Sequence, residues 1–503
     1  MKHYPFTVFF LATMLFSCTP AKEKRAIALY EAQCASCHLA PKVNELPKHL
    51  WKEAVLPEMA ARMGLITKDN NPYHGLSFEE QGARMATGVF PERPLISVND
   101  WNTLQEYIIA LAPDSLPKAI RPTVPKSLTQ FSAKTVDVYE GKGASLSFLE
   151  YDQQQQELVL ANLKGAIKTY GGATGQVTDV DRTGRAVTSF ISKNQMQYTT
   201  EVGFLNPSER PRGALHIRTD SQAVSLPFVL HRPVHTLVED LNADGNDEIV
   251  VCEFGHLTGA LSLFVKKNGL TYERRTLLDL PGTVRSMARD MNGDNKLDLI
   301  VMTTQGREGI TIFHQGEDLQ FSPETVLQFS PIYGSSWFDL VDYNKDGLLD
   351  IITAHGDNAD KSYVQKPYHG IRIHINQGQN VFQEQYFYPL NGATRFVAKD
   401  FDQDGDVDLA LLATFPDYEN RPNASFTYLE NLDSEAYQFQ DFVTEHAKEG
   451  RWLLMDSGDV DQDGDQDIVL SSFTYGFTPV PEDLANLWNQ SSTDLLLLEN
   501  LLK

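Results

Sequence analysis

Cysteine is scarce: four residues, Cys18, Cys34, Cys37 and Cys252, stand in a chain of 503, too few for a disulfide framework. Basic residues are also short, 43 against 67 acidic for a net charge of -24, which argues against nucleic acid and anionic membrane surfaces as charge-driven partners. The apolar-rich stretch from Phe6 to Phe16 falls well short of the ~20 residues that a permanent transmembrane helix requires. Beyond residue 127 the chain also lacks a nucleophile–base pair, a glycine loop for phosphate and any His/Cys metal cluster, so nothing there reads as a catalytic centre.

What is present begins with an export signal. Lys2 gives a basic start, the apolar stretch follows, and Ser17 precedes Cys18. Leu15-Phe16-Ser17-Cys18 resembles the lipobox of bacterial lipoproteins, which implies removal of residues 1–17, lipidation of Cys18 and attachment to a membrane, outer membrane or cell envelope, through that lipid. Three further regions follow: a helical domain over 18–112, a linker over 113–127 containing Pro113, Pro117, Pro122 and Pro125, and a strand-rich region over 128–503. Cys252, in the apolar run IVVCEF, reads as a buried core thiol.

The helical region contains CASCH. Two thiols with this spacing meet the two vinyl groups of a porphyrin, and the adjoining His38 supplies an axial imidazole, so Cys34, Cys37 and His38 read as the covalent site of one c-type haem. Leu29 and Tyr30 lie just upstream; Ser97 with Asp100 forms a capping pair, after which Trp101, Leu104, Ile108 and Leu111 recur at helical spacing. These segments resemble a class I cytochrome c, which implies a first and a last helix crossing beside the haem, with Tyr30 and Tyr107 meeting there. The run WKEAVLPEMAARMG resembles the variant in exported cytochrome-plus-propeller proteins and implies Met59 as sixth ligand; Met63 and Met85 remain the alternatives.

The strand-rich region repeats. Asp240, Asp290, Asp342, Asp400 and Asp459 open DLNADGNDE, DMNGDNKLD, DYNKDGLLD, DFDQDGDVD and DVDQDGDQD, at intervals of 50, 52, 58 and 59 residues, the length of a four-stranded propeller blade. Each loop lies between two apolar strands. Segments at Ser145–Tyr151 and Ala186–Ile191 begin two further blades without the acidic loop, giving an all-β seven-bladed propeller after a small all-α domain. The last blade is one strand short, and Thr135–Tyr139 is placed to complete it.

Oxygen ligands at positions 1, 3, 5 and 9 of each loop converge on one hard cation. The predicted ligands are Asp240, Asn242, Asp244 and Glu248; Asp290, Asn292, Asp294 and Asp298; Asp342, Asn344, Asp346 and Asp350; Asp400, Asp402, Asp404 and Asp408; and Asp459, Asp461, Asp463 and Asp467, for up to five calcium ions. Position 12 is Val251, Val301, Thr353, Leu411 or Leu470, never the glutamate of an EF-hand. The pattern instead resembles the FG-GAP or VCBS repeat of integrin-α-type propellers, which implies calcium between the first two strands of a blade. Glu248 at position 9 and Asn295 at position 6 depart from it, which implies weaker binding in the first two loops.

Connections between second and third strands emerge on the opposite face and are long. They bring His256, Arg307, His355, Asp357, Lys361, Tyr418, Arg421, Tyr475 and Trp488 toward it, making that face the expected dock for a redox partner protein or small-molecule substrate. The expectation is an electron-transfer protein; an oxidoreductase passing electrons to the haem, or an adhesion or glycan-binding protein, are the alternatives.

Overall fold

Five apolar hexamers, Glu248–Glu253, Asp298–Thr303, Asp350–His355, Asp408–Ala413 and Asp467–Ser472, have every residue buried. Such runs suit strands covered on both faces. In the computed structural model, which describes residues 21–359, 363–476 and 478–502, each is the second strand of an antiparallel blade. Seven blades follow one another over residues 146–182, 187–225, 233–278, 283–328, 335–389, 393–443 and 452–500. Their first strands adjoin around a ring that closes from blade seven to blade one. The core lies between blades, as where Tyr343, Ile352, Phe396 and Leu409 pack together, each fully buried side chain contributing roughly 1.5–3 kcal/mol.

Blade seven takes its outer strand from the start of the propeller. The paired segment is Phe131–Val136, with Phe131 opposite Asn500 and Val136 opposite Leu495, upstream of the expected Thr135–Tyr139. Asp494 sets the boundary: its Oδ2 accepts the N–H groups of Val138 and Tyr139 at 2.8 and 2.7 Å, ending the ladder there. Phe131 then enters an aromatic cluster with Tyr428 and Phe401. The proline-rich segment is tied to blade six. Arg121 pairs with the buried Asp441 at 3.6 Å, and Lys126–Ser127 adds a parallel fifth strand beside Phe442 and Val443.

The preceding helices pack on a separate core of Leu46, Leu50, Trp51, Leu56, Trp101, Leu104 and Ile108. Helix α1 (Ala21–Leu29) continues as a π turn over Tyr30–Cys34; α2 spans residues 48–62, α3 is Phe78–Ala86 and α4 is Val98–Leu111. Ser97 caps α4 by accepting the Asp100 N–H. Helices α1 and α4 cross, joined by Arg25–Asp100 at 2.5 Å, and the Tyr30 and Tyr107 rings meet at 6.2 Å. Among the described residues no helix is long and apolar enough to cross a membrane. Cys18 and residues 1–17 lie outside the described residues, as does Lys361.

Candidate functional site

Three groups of sequence-selected residues meet different fates: the cysteine–histidine loop, the acidic loops and the long connections of the opposite face.

Cys34 ends the π turn and packs against the helical core, while Cys37 is exposed. Burial pushes the Cys34 thiol up to about 11. A thiol–disulfide exchange pair favours the reverse, a thiolate near neutral pH. His38 holds Leu39 O at 2.9 Å through Nδ1. A carbonyl only accepts, so Nδ1 carries the proton and the Nε2 lone pair stays available to a metal. Met59 and Met63 pack against the same core as Cys34, Leu29, Tyr30 and Tyr107. Met85, on α3, is 55% exposed and outside that core. The half-buried apolar side chains, two thiols and free imidazole nitrogen fit a thioether-linked porphyrin.

The five acidic loops share one geometry. Position 4 has positive φ in each, at Ala243, Gly293, Lys345, Gln403 and Gln462, and so does position 6, at Gly245, Asn295, Gly347, Gly405 and Gly464. Asn295 reaches φ 64; asparagine tolerates this region, so its loop keeps the common shape. The position-1 carboxylate accepts the position-6 N–H at 2.8 to 3.0 Å in four loops, through Asp240, Asp290, Asp342 and Asp400. Positions 3 and 5 accept N–H groups two residues onward, as Asp402 does from Asp404 and Asp404 from Asp406.

Position 9 does more than the sequence suggested. Glu248, Asp298, Asp350, Asp408 and Asp467 are all buried. In each, one oxygen takes the N–H of loop position 2, at Leu241, Met291, Tyr343, Phe401 and Val460. In the last four, the other oxygen accepts the N–H of a residue on or ending the third strand, Gln315, Asn376, Asn431 or Asn500, at 2.8 Å. The side-chain amides of Gln315 and Asn500 reach back to Leu241 O and Phe401 O of the preceding blade. Position 9 therefore ties loop, third strand and neighbouring blade.

Cation-binding character is strongest in the last two loops. Ligand oxygens of Asp400, Asp402 and Asp408, and of Asp459, Asp461 and Asp463, lie within 4.8 Å of one another. Asp400 Oδ1 and Asp459 Oδ1 are buried and accept no hydrogen bond. Burial, then neighbouring carboxylates, pushes Glu248, Asp408 and Asp467 up to about 7. Crowded carboxylates with orphaned oxygens fit a hard divalent cation.

On the opposite face the long connections meet the helical domain. Arg307 Nε donates to Cys37 O at 3.2 Å, and Tyr368 OH to Glu45 O at 2.8 Å. Leu257 packs with Ala61 and Phe90, and Ile332 and Val364 against the helical core. The largest polar contact was not legible. Glu80 of α3 accepts Ser208 Oγ at 2.7 Å and Glu209 N at 2.8 Å, and Arg210 pairs with Glu79. These residues sit on the long second-to-third connection of blade two, which has no acidic loop to mark it; the polar run SERPR was the only signal.

Other face residues are placed differently from expectation. His355 ends a strand and is fully buried, its nitrogens at 3.0 Å from Ser335 Oγ and 2.8 Å from Thr353 Oγ1. Tyr418 and Trp488 are buried against each other, because α5 (Glu482–Gln490), on the second-to-third connection of blade seven, packs against the corresponding connection of blade six. His256 is half-buried, Tyr475 donates to Asn206 Oδ1, and Asp357 and Arg421 lie exposed. A groove of about 580 Å³ in blade three is lined by His231, Glu253 and Arg274. Its carboxylate is occupied: Glu253 accepts His231 N, Ser262 Oγ and Arg274 Nη2. Cys252 is a buried core thiol, pushed up to about 12 by burial.

A family model described as an FG-GAP-like repeat matches residues 290–353, the span from the Asp290 loop into the second strand of blade five. No curated protein matches the chain.

Proposed function

We propose that this propeller protein is an exported, lipid-anchored electron carrier holding one covalent haem c in its helical domain, with calcium stabilising the propeller. The observation that carries the reading is the shared environment of Cys34 and Met59: both, with Met63, Tyr30 and Tyr107, pack against one apolar core to which the crossing helices α1 and α4 contribute. Cys34 and Cys37 would hold the group by thioether bonds, with His38 Nε2 and the Met59 sulfur as donors to its iron. When bound, the haem supplies one-electron chemistry. Leu29, Tyr30 and Met63, packed on the same core, would help exclude water from the group, and Arg307 ties the cysteine–histidine loop to blade four.

Calcium in the acidic loops neutralises crowded carboxylates and stiffens the blade-to-blade ties made through position 9; it is a structural role. The opposite face carries the helical domain on blades two to five, so a redox partner meets both domains together at its edge. Cys18, as the lipidated residue, places the protein on a bacterial membrane.

The test is the haem spectrum of the oxidised full chain against a panel of small molecules and small redox proteins. Reduction by a redox protein, with none by any small molecule alone, is expected. Reduction on adding a small molecule, with no other protein present, would replace the carrier reading with that of an oxidoreductase.

A further inference from the structure

The bore of the propeller carries an unexplained charge arrangement. His235, Arg285, Trp337 and Arg395 follow the bulges in the first strands of blades three to six and pair with Cys252, Met302, Ala354 and Leu412, so they occupy one level of the ring. Arg285 and Arg395 place their guanidinium carbons 3.7 and 3.9 Å from the centroid of the same Trp337 ring. Two planar cations that close to one ring centre take its opposite faces.

Neither guanidinium is neutralised by contact. Among the described residues no carboxylate lies within ion-pairing distance of either. Arg285 Nε is buried without an acceptor, and Arg285 Nη2 has only the Met287 sulfur at 3.9 Å. The acids of the bore, Glu150, Asp339 and Asp456, stand two residues farther along their strands, on the level nearer the acidic loops. Asp456 is already engaged with Tyr151 N at 2.7 Å and Ser457 N at 2.9 Å, and Asp339 with Leu340 N at 2.9 Å. Burial and the adjacent Arg285 charge push Arg395 down to about 9, and burial with both arginines holds His235 neutral, at about 3. Enclosed charges are ordinarily paired. Here both arginines are half-buried, and stacking holds both forks with no carboxylate of the described residues paired to either.

We propose that this level of the bore binds one small oxyanion, a carboxylate or phosphate, on the donor edges of Arg285 and Arg395. Guanidinium forks suit such oxygens bidentately, and stacking on Trp337 removes the rotamer freedom that binding otherwise has to quench. The carboxylates of the next level repel a bulky polyanion, which restricts the ligand to a small group of low charge. The inference does not depend on the haem.

The test is titration of the full chain, in a chloride buffer, with acetate and separately with inorganic phosphate, followed by tryptophan fluorescence and thermal unfolding. A saturable fluorescence change and a rise in melting temperature are expected with at least one probe. Arg285→Lys and Arg395→Lys keep the charge but lose the fork, and weaken binding by about tenfold or more. Trp337→Phe abolishes the fluorescence change and keeps the thermal shift. If the lysine variants do not fold, Asp339→Asn serves instead: removing a nearby negative charge tightens binding. Absence of a saturable response, or affinity unchanged in the lysine variants or in Asp339→Asn, overturns the proposal.

Discussion

Arg307, on the second-to-third connection of blade four, donates from Nε to the backbone carbonyl of Cys37 at 3.2 Å, joining the cysteine–histidine loop to the propeller. The loop that would carry the redox centre is thus positioned by a residue 270 positions away. Glu80 makes the second tie, with Ser208 and Glu209.

Loss of these ties loosens the domains without unfolding either. Glu80→Ala leaves two donors at a partly exposed interface and weakens docking by about 1 kcal/mol. Arg307→Ala alone has a smaller effect. Limited proteolysis in the segment 113–125 is expected to accelerate in the Glu80 variant and more so in the double variant, with the propeller's melting temperature unchanged.

Calcium removal separates the two jobs of the acidic loops. On the proposed calcium reading a chelator is expected to lower the melting temperature, each occupied loop contributing roughly 2–3 kcal/mol when calcium is about 100-fold over its Kd. Asp404→Ala, at an exposed ligand position, destabilises only in calcium and matches the unaltered protein in chelator. Asp408→Ala destabilises in both, because Phe401 N, Asn431 N and Tyr428 OH lose their acceptor, at a cost of roughly 3 kcal/mol or more. Calorimetry of both variants with and without calcium checks this.

Much of this architecture was legible. Five acidic loops at blade-length intervals and the buried hexamers beside them specify both the meander and its repeat. The closing strand was located only approximately, since its limit depends on the Asp494 carboxylate, more than 350 residues away in sequence. The second role of position 9 was hidden for the same reason: Asn431 and Asn500 are tertiary partners with no local pattern. The seating of α3 on blade two was equally invisible, because Glu80 and Ser208 acquire meaning only when the domains are apposed.

Substitution of the methionines tests the proposed sixth ligand. Met59→Ala is expected to abolish a methionine-ligated spectrum, whereas Met85→Ala leaves it intact, since Met85 lies exposed away from the core that holds Cys34. A normal spectrum in Met59→Ala would move the ligand to Met63.

Stability falls as pH rises through the range set by Glu308. Burial raises this carboxyl from 4.5 to about 7, although it accepts Ser335 N and Oγ. The folded state therefore favours the protonated form. Below 4.5 both states are protonated and there is no contribution; between 4.5 and 7 the unfolded chain releases its proton first, and the folded state loses ground. In saturating calcium, Glu308→Gln flattens this part of the stability–pH curve. An identical slope in both proteins would contradict the assignment.

Covalent haem content tests the proposed electron carrier most directly. The full chain, exported from a host competent for c-type cytochrome maturation, is denatured and analysed by intact mass and haem absorbance. One haem per chain is expected to be retained through denaturation, and none in Cys34→Ala/Cys37→Ala. A folded, exported protein that carries no covalent haem and presents both Cys34 and Cys37 as free thiols would contradict it.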